Sequence, residues 1–153
     1  MTTIEPRQAT FAGVLLLANR MQTHYDAMLG DVTLKQWLAL TVVAAFPQPA
    51  PSTAVVARAL GTTHQNVTKL LNALVAKGLL EFTPSPADGR ARQVSLTPAA
   101  YAYFQSQEAL GERLLDELFA DIKPRDVATC ADVLDRMSRA LTGEGIVPPK
   151  PGG

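Results

Sequence analysis

The sequence predicts a mainly α, α+β fold, and three observations predict it. Long stretches repeat apolar residues at every third or fourth position, which is helix spacing. Two short apolar-rich segments near 79–96 break that period around an Asp-Gly turn. Gly, Pro and Ser/Thr residues punctuate the chain wherever the period changes. With 47% apolar and 18% charged residues over 153 positions, there is material for a packed core and length for one domain.

The first helix is expected over 6–29. Phe11, Val14, Leu15, Ala18, Met21, Tyr25 and Met28 share one face, Leu16 and Leu17 widen it, and Gly30-Asp31 closes it. A second helix opens at Thr33, where Thr33-Leu34-Lys35-Gln36 fits a capping box, and it is expected to carry Trp37, Leu38 and Val42 inward. Pro47-Gln48-Pro49-Ala50-Pro51 withholds backbone donors and reads as a stiff connection without regular structure. Ser52 or Thr53 caps a short third helix over 54–60 that Gly61 terminates. Thr63 caps a fourth, whose Val67, Leu70, Leu71, Leu74 and Val75 form a full inward stripe before Gly78. Two helices joined by Gly61-Thr62-Thr63 make a helix-turn-helix.

Strands follow over 79–83 and 93–96, joined by a long basic hairpin end with Asp88-Gly89 near its tip. Thr97-Pro98 opens another long helix reaching about Phe119. A last helix begins near Pro124 and sets Val127, Ala131, Leu134, Met137 and Leu141 on one face. From Gly143 onward the sequence reads as a tail.

Fourteen Lys+Arg balance 14 Asp+Glu, which excludes a polybasic protein. The balance is uneven along the chain. Residues 53–97 hold five bases and two acids, whereas 98–153 hold six bases and nine acids, so the middle suits a polyanion best. The single cysteine, Cys130, forms no intrachain disulfide; set beside Val127 and Leu134, it reads as helix packing. The apolar runs at 11–18 and 38–46 are too short to span a bilayer, and no small-residue cleavage site follows the first, so a cytoplasmic protein without membrane contact is expected. His24 and His64 have no neighbouring nucleophile or metal-ligand spacing, and no glycine-rich phosphate loop occurs. Neither an enzyme nor a cofactor is expected.

The helix-turn-helix, the hairpin, Asp88 and Arg90 in a D-x-R wing motif, the Leu96-Thr97 step and the Gly78-Leu79-Leu80 exit together resemble the MarR family of winged-helix transcriptional regulators. The order of elements matches to about Leu141. The resemblance implies a winged helix-turn-helix over 33–97, a helical dimerisation region from 1–32 and 98–142, and a flexible tail over 143–153. It further implies a homodimer on a pseudopalindromic operator in double-stranded DNA. A small effector, aromatic or otherwise amphipathic, releasing a repressor is the implied regulation. Phe82 and Thr83 stand near positions where many relatives carry Arg, Gly89 replaces a second wing Arg, and Ala100 replaces a usual glycine.

On that fold the fourth helix would read DNA. Gln65, Lys69 and Asn72 point away from its apolar stripe, flanked by Asn66 and Thr68. Gln and Asn pair with adenine, and Lys reaches guanine. Thr63 and His64 stand at the helix start, whose amides suit a phosphate. Arg90 and Arg92 would enter the minor groove, with Asp88 directing Arg90. His24, Tyr25 and Trp37 are the candidates for lining an effector pocket. The alternative function is a winged-helix protein-interaction module with weak or no DNA binding, favoured by the zero net charge and the residues at 82–83.

Overall fold

A computed structural model of the chain describes residues 3–86 and 92–146. In chain order they form α1 (Pro6–Leu29), α2 (Leu34–Ala45), β1 (Ala50–Ser52), α3 (Thr53–Leu60), α4 (His64–Ala76), β2 (Leu80–Pro84), β3 (Arg92–Leu96), α5 (Pro98–Phe119) and α6 (Pro124–Thr142). The chain divides into two compact units, Met1–Leu38 and Ala39–Gly153.

In the first unit, α1 begins where Glu5, in extended backbone, accepts a hydrogen bond from the Gln8 amide, with Pro6 at the first helical position. The Arg7 guanidinium, 2.9 Å from Glu5, holds that carboxyl below its ordinary range. Gly30, at φ 69°, ends the helix in a conformation side chains rarely adopt. The start of α2 is tied down three ways. Thr33 Oγ1 accepts from the Gln36 amide, Gln36 Oε1 accepts from the Thr33 amide, and Asp26 Oδ1 accepts from the Leu34 amide at 2.7 Å. The first two bonds are the expected capping box.

The inward face of α2 differs from the expectation. Ala39, Leu40 and Val43 are buried, whereas Leu38 is 45% exposed and Trp37 and Val42 are half-buried. This helix is apolar nearly all round, so its period did not single out a face.

In the second unit, Ser52 caps α3 by accepting from the Val55 amide, and Gly61 ends it in the left-handed region. There the Gly61 and Thr62 amides take up the carbonyls of Arg58 and Ala57 at 3.1 Å each. Thr63 then caps α4, accepting from the Asn66 amide at 3.1 Å. Val67, Leu71 and Leu74 of α4 are fully buried with Val56 of α3 and with Leu40, Val43 and Val94. Helix α3 packs on α4, α4 on β2, and α5 touches β3.

The sheet has the order β1-β3-β2, all antiparallel. Between β2 and β3, Leu80 faces Leu96, Phe82 faces Val94 and Pro84 faces Arg92. Both strands start one residue from their expected positions. Strand β1 corrects the reading of 47–51 as irregular: Ala50 pairs with Val94 across a short, bulged edge. A proline is tolerated there because an edge strand needs donors on one side only. Just before β1, the Gln48 side chain completes the edge. Its Oε1 accepts from the Leu96 amide at 2.9 Å, and its Nε2 donates to the Val43 and Phe46 carbonyls.

The Leu96-Thr97 step joins sheet to helix through one hydroxyl. Thr97 Oγ1 donates to the Gly78 carbonyl at 2.6 Å and accepts from the Ala100 amide, so it closes the hairpin base and caps α5 together. Ala100 is fully buried just past this step, so its methyl is accommodated in the packing. Beyond it, α5 and α6 bury no further residue. Cys130, expected in packing, is exposed on α6. No helix among the described residues is long and apolar enough to cross a membrane.

Candidate nucleic-acid interface

Because Val67, Leu71 and Leu74 face the core, the opposite side of α4 is directed to solvent. Gln65, Lys69 and Asn72, spaced at four and three residues, are all exposed, as are Thr63, His64 and Asn66. The N-terminal turn is well organised. The Asn66 side chain donates its Nδ2 to Thr62 Oγ1 at 3.2 Å, which leaves its carbonyl oxygen for another donor. Thr68 is half-buried, and its hydroxyl donates back to the His64 carbonyl at 2.9 Å, leaving only acceptor capacity. Thr62, missed by the sequence reading, thus orients Asn66. The Ser/Thr at four residues before an Asn was the local signal for it.

The hairpin lies beside α4 through the packing of α4 on β2. Of its three expected contact residues, Asp88 and Arg90 lie outside the described residues. Arg92 is exposed at the start of β3, and its guanidinium carbon sits 4.8 Å above the centre of the Phe82 ring. This is a cation–π stack. Phe82 was noted only as a missing arginine, because its neighbour across the hairpin depends on strand register. Elsewhere on the helix-turn-helix, Arg58 lies 3.8 Å from Glu144, both exposed, a pair worth little in water.

The three pocket candidates all fall in the first unit. His24 is exposed and meets half-buried Tyr25 edge-to-face, with ring centres 5.1 Å apart, while Trp37 is half-buried in the first turns of α2. The sequence reading did not single out Tyr103 on α5. Its hydroxyl is buried with no hydrogen-bond partner among the described residues, and desolvation pushes the phenol above its ordinary pKa. Among the described residues no three His, Cys, Asp or Glu side chains gather where a metal ion could bind.

The family model described as MarR family matches residues 30–91, which spans the helix-turn-helix and β2. Several solved structures share the fold. The reduced form of MarR from E. coli is 26% identical, covering 89% of this chain and 98% of its own at a TM-score of 0.68. MepR of S. aureus, solved with DNA, is 21% identical at a TM-score of 0.73, covering 84% of this chain and 94% of its own. PcaV from Streptomyces coelicolor, a transcriptional regulator solved with its natural ligand, is 21% identical at 0.71, covering 92% and 99%. The capped α4 beside a hairpin, the Leu96-Thr97 step into α5, the matched family model and these likenesses lead to one conclusion: residues 30–91 match the MarR family, and the chain has the winged-helix fold of these transcriptional regulators.

Proposed function

We propose that the chain is a homodimeric, sequence-specific DNA-binding regulator that represses transcription and is released by a small aromatic ligand. The observation that carries the reading is the exposed Gln65, Lys69 and Asn72 row on a helix whose other face buries Val67, Leu71 and Leu74, with Leu70 and Val75 half-buried, next to a hairpin bearing Arg92. In the major groove, Gln65 and Asn72 would pair with adenine edges, and Lys69 with guanine O6 or N7. Thr63, His64 and Asn66 would sit at a backbone phosphate facing the helix start, and Thr68 would flank them. The hairpin residues Arg92 and Arg90 would enter the adjacent minor groove, with Asp88 directing Arg90.

Dimerisation is supported by apolar surface that the chain itself leaves open. On α1, Phe11, Leu15, Leu16 and Leu17 are each more than half exposed. On α5 and α6, Leu115, Leu118, Phe119 and Leu141 are also exposed. A monomer seldom keeps so many large apolar side chains in water along its helices. Two copies related by a two-fold axis would present their α4 helices to half-sites ~34–36 Å apart. A ligand binding better to a different helix separation would shift the dimer away from that spacing. The PcaV complex and the unpartnered Tyr103 hydroxyl support a ligand site in this chain.

A mobility shift against duplexes selected from random DNA tests the reading. A retarded complex that disappears as salt rises supports it, because phosphate contacts release counterions. A chain that retains no duplex at low salt favours a winged-helix protein-interaction module instead, the reading that the zero net charge and the absence of arginine at 82–83 support.

A further inference from the structure

We infer that Phe82 is a positioning residue for Arg92, setting the guanidinium of the wing so that its donors meet DNA already oriented. The inference rests on the DNA-binding reading above and concerns how the hairpin of this chain does the task. Register brings the two side chains together. Phe82 faces Val94 and Pro84 faces Arg92, so Phe82 and Arg92 are diagonal neighbours on adjacent antiparallel strands. The 4.8 Å separation of guanidinium carbon and ring centre is within cation–π range.

The chemistry of the pair favours a phosphate or base-edge partner. A guanidinium stacks through its flat face, whereas its N–H donors lie in its plane. Face-on contact with Phe82 would restrain the side chain while leaving its in-plane donors to a partner. A carboxylate neighbour would do the opposite, consuming donors and cancelling charge. Among the described residues no carboxylate lies within ion-pair distance of Arg92. Phe82 is half-buried and held by the β2–β3 ladder, so the platform is fixed while Arg92 stays exposed. A long side chain loses rotamer freedom on binding, and restraint in the free protein reduces that cost.

The test is a double-mutant cycle on DNA binding, read as affinity against salt concentration with a selected duplex. Phe82→Leu keeps an apolar side chain and removes the π face; it should weaken binding about two- to fivefold with the salt slope unchanged, since every cation remains. Arg92→Ala should weaken binding further and lower the slope by about one unit. In the Arg92→Ala background, Phe82→Leu should have no further effect, whereas Phe82→Tyr in the otherwise wild-type chain should keep wild-type affinity. Independently of any variant's folding, the Arg92 Nε–H resonance of the free wild-type protein should lie upfield through the ring current of Phe82. Equal losses from Phe82→Leu in both backgrounds, or a silent Phe82→Leu, would overturn the positioning role while leaving the DNA reading intact. A wild-type chain that binds no duplex would overturn both.

Discussion

The reading region and the long helices solve the burial problem in opposite ways. Helices α3 and α4 with the three-stranded sheet close a core of their own: Val56, Val67, Leu71, Leu74, Leu80 and Val94 are buried to within 2%. Helix α1 buries none of its 24 residues and α6 none of its 19, although both carry apolar side chains at helix spacing. A stripe without a covering surface is an unmet interaction, and at ~25 cal/mol per Å² the driving force to cover it is large. The reader therefore closes its core within one chain, and the open faces of the long helices are what the proposed dimer would cover.

The sharpest way to break that contrast is a charge on the open face. Leu15→Asp should leave the single chain's fold unchanged. A dimer would then bury an unpaired carboxylate in each copy, at roughly 3–5 kcal/mol apiece, and fall apart. Sedimentation showing the same oligomeric state as wild type would remove α1 from the interface. The converse change, Leu71→Ala, should cost about 2–5 kcal/mol by denaturant unfolding, because it opens a cavity in the reader's core. A smaller effect is expected for Gln65→Ala. It should relax preference at one base pair by about 1–3 kcal/mol, measured by competition between point-changed duplexes, with stability unchanged. Thr63→Ala should lower stability by about 1 kcal/mol, since the Asn66 amide loses its acceptor. Smallest would be Gln48→Ala. Losing the Leu96 contact should cost about 0.5–1.5 kcal/mol by the same unfolding measurement.

Legibility followed locality. The capping box at Thr33 and Gln36, the caps at Ser52, Thr63 and Thr97, and the glycine stop at Gly61 all involve partners within a few residues, so composition and spacing revealed them. The outward row Gln65, Lys69, Asn72 was legible for the same reason, since a strong inward stripe leaves only one face. Strand β1 was hidden because its reason to exist is β3, with Gln48 bonding Leu96 48 residues away in sequence. The inward face of α2 was hidden because Leu38, Ala39, Leu40, Val42 and Val43 offer apolar surface in several directions. Cys130 looked like packing because a stripe in sequence does not say whether anything covers it in the single chain.

What the sequence determined by itself was the order, limits and outward chemistry of the elements, since helix caps, glycine turns and apolar period act over one or two turns of chain. Only the tertiary structure decided which face of α2 is buried, that a proline-rich stretch joins a sheet, and that Phe82 lies under Arg92. Each of these is a meeting of segments distant in the chain. Such meetings are selected by packing and strand register together, and no local window of residues contains both partners.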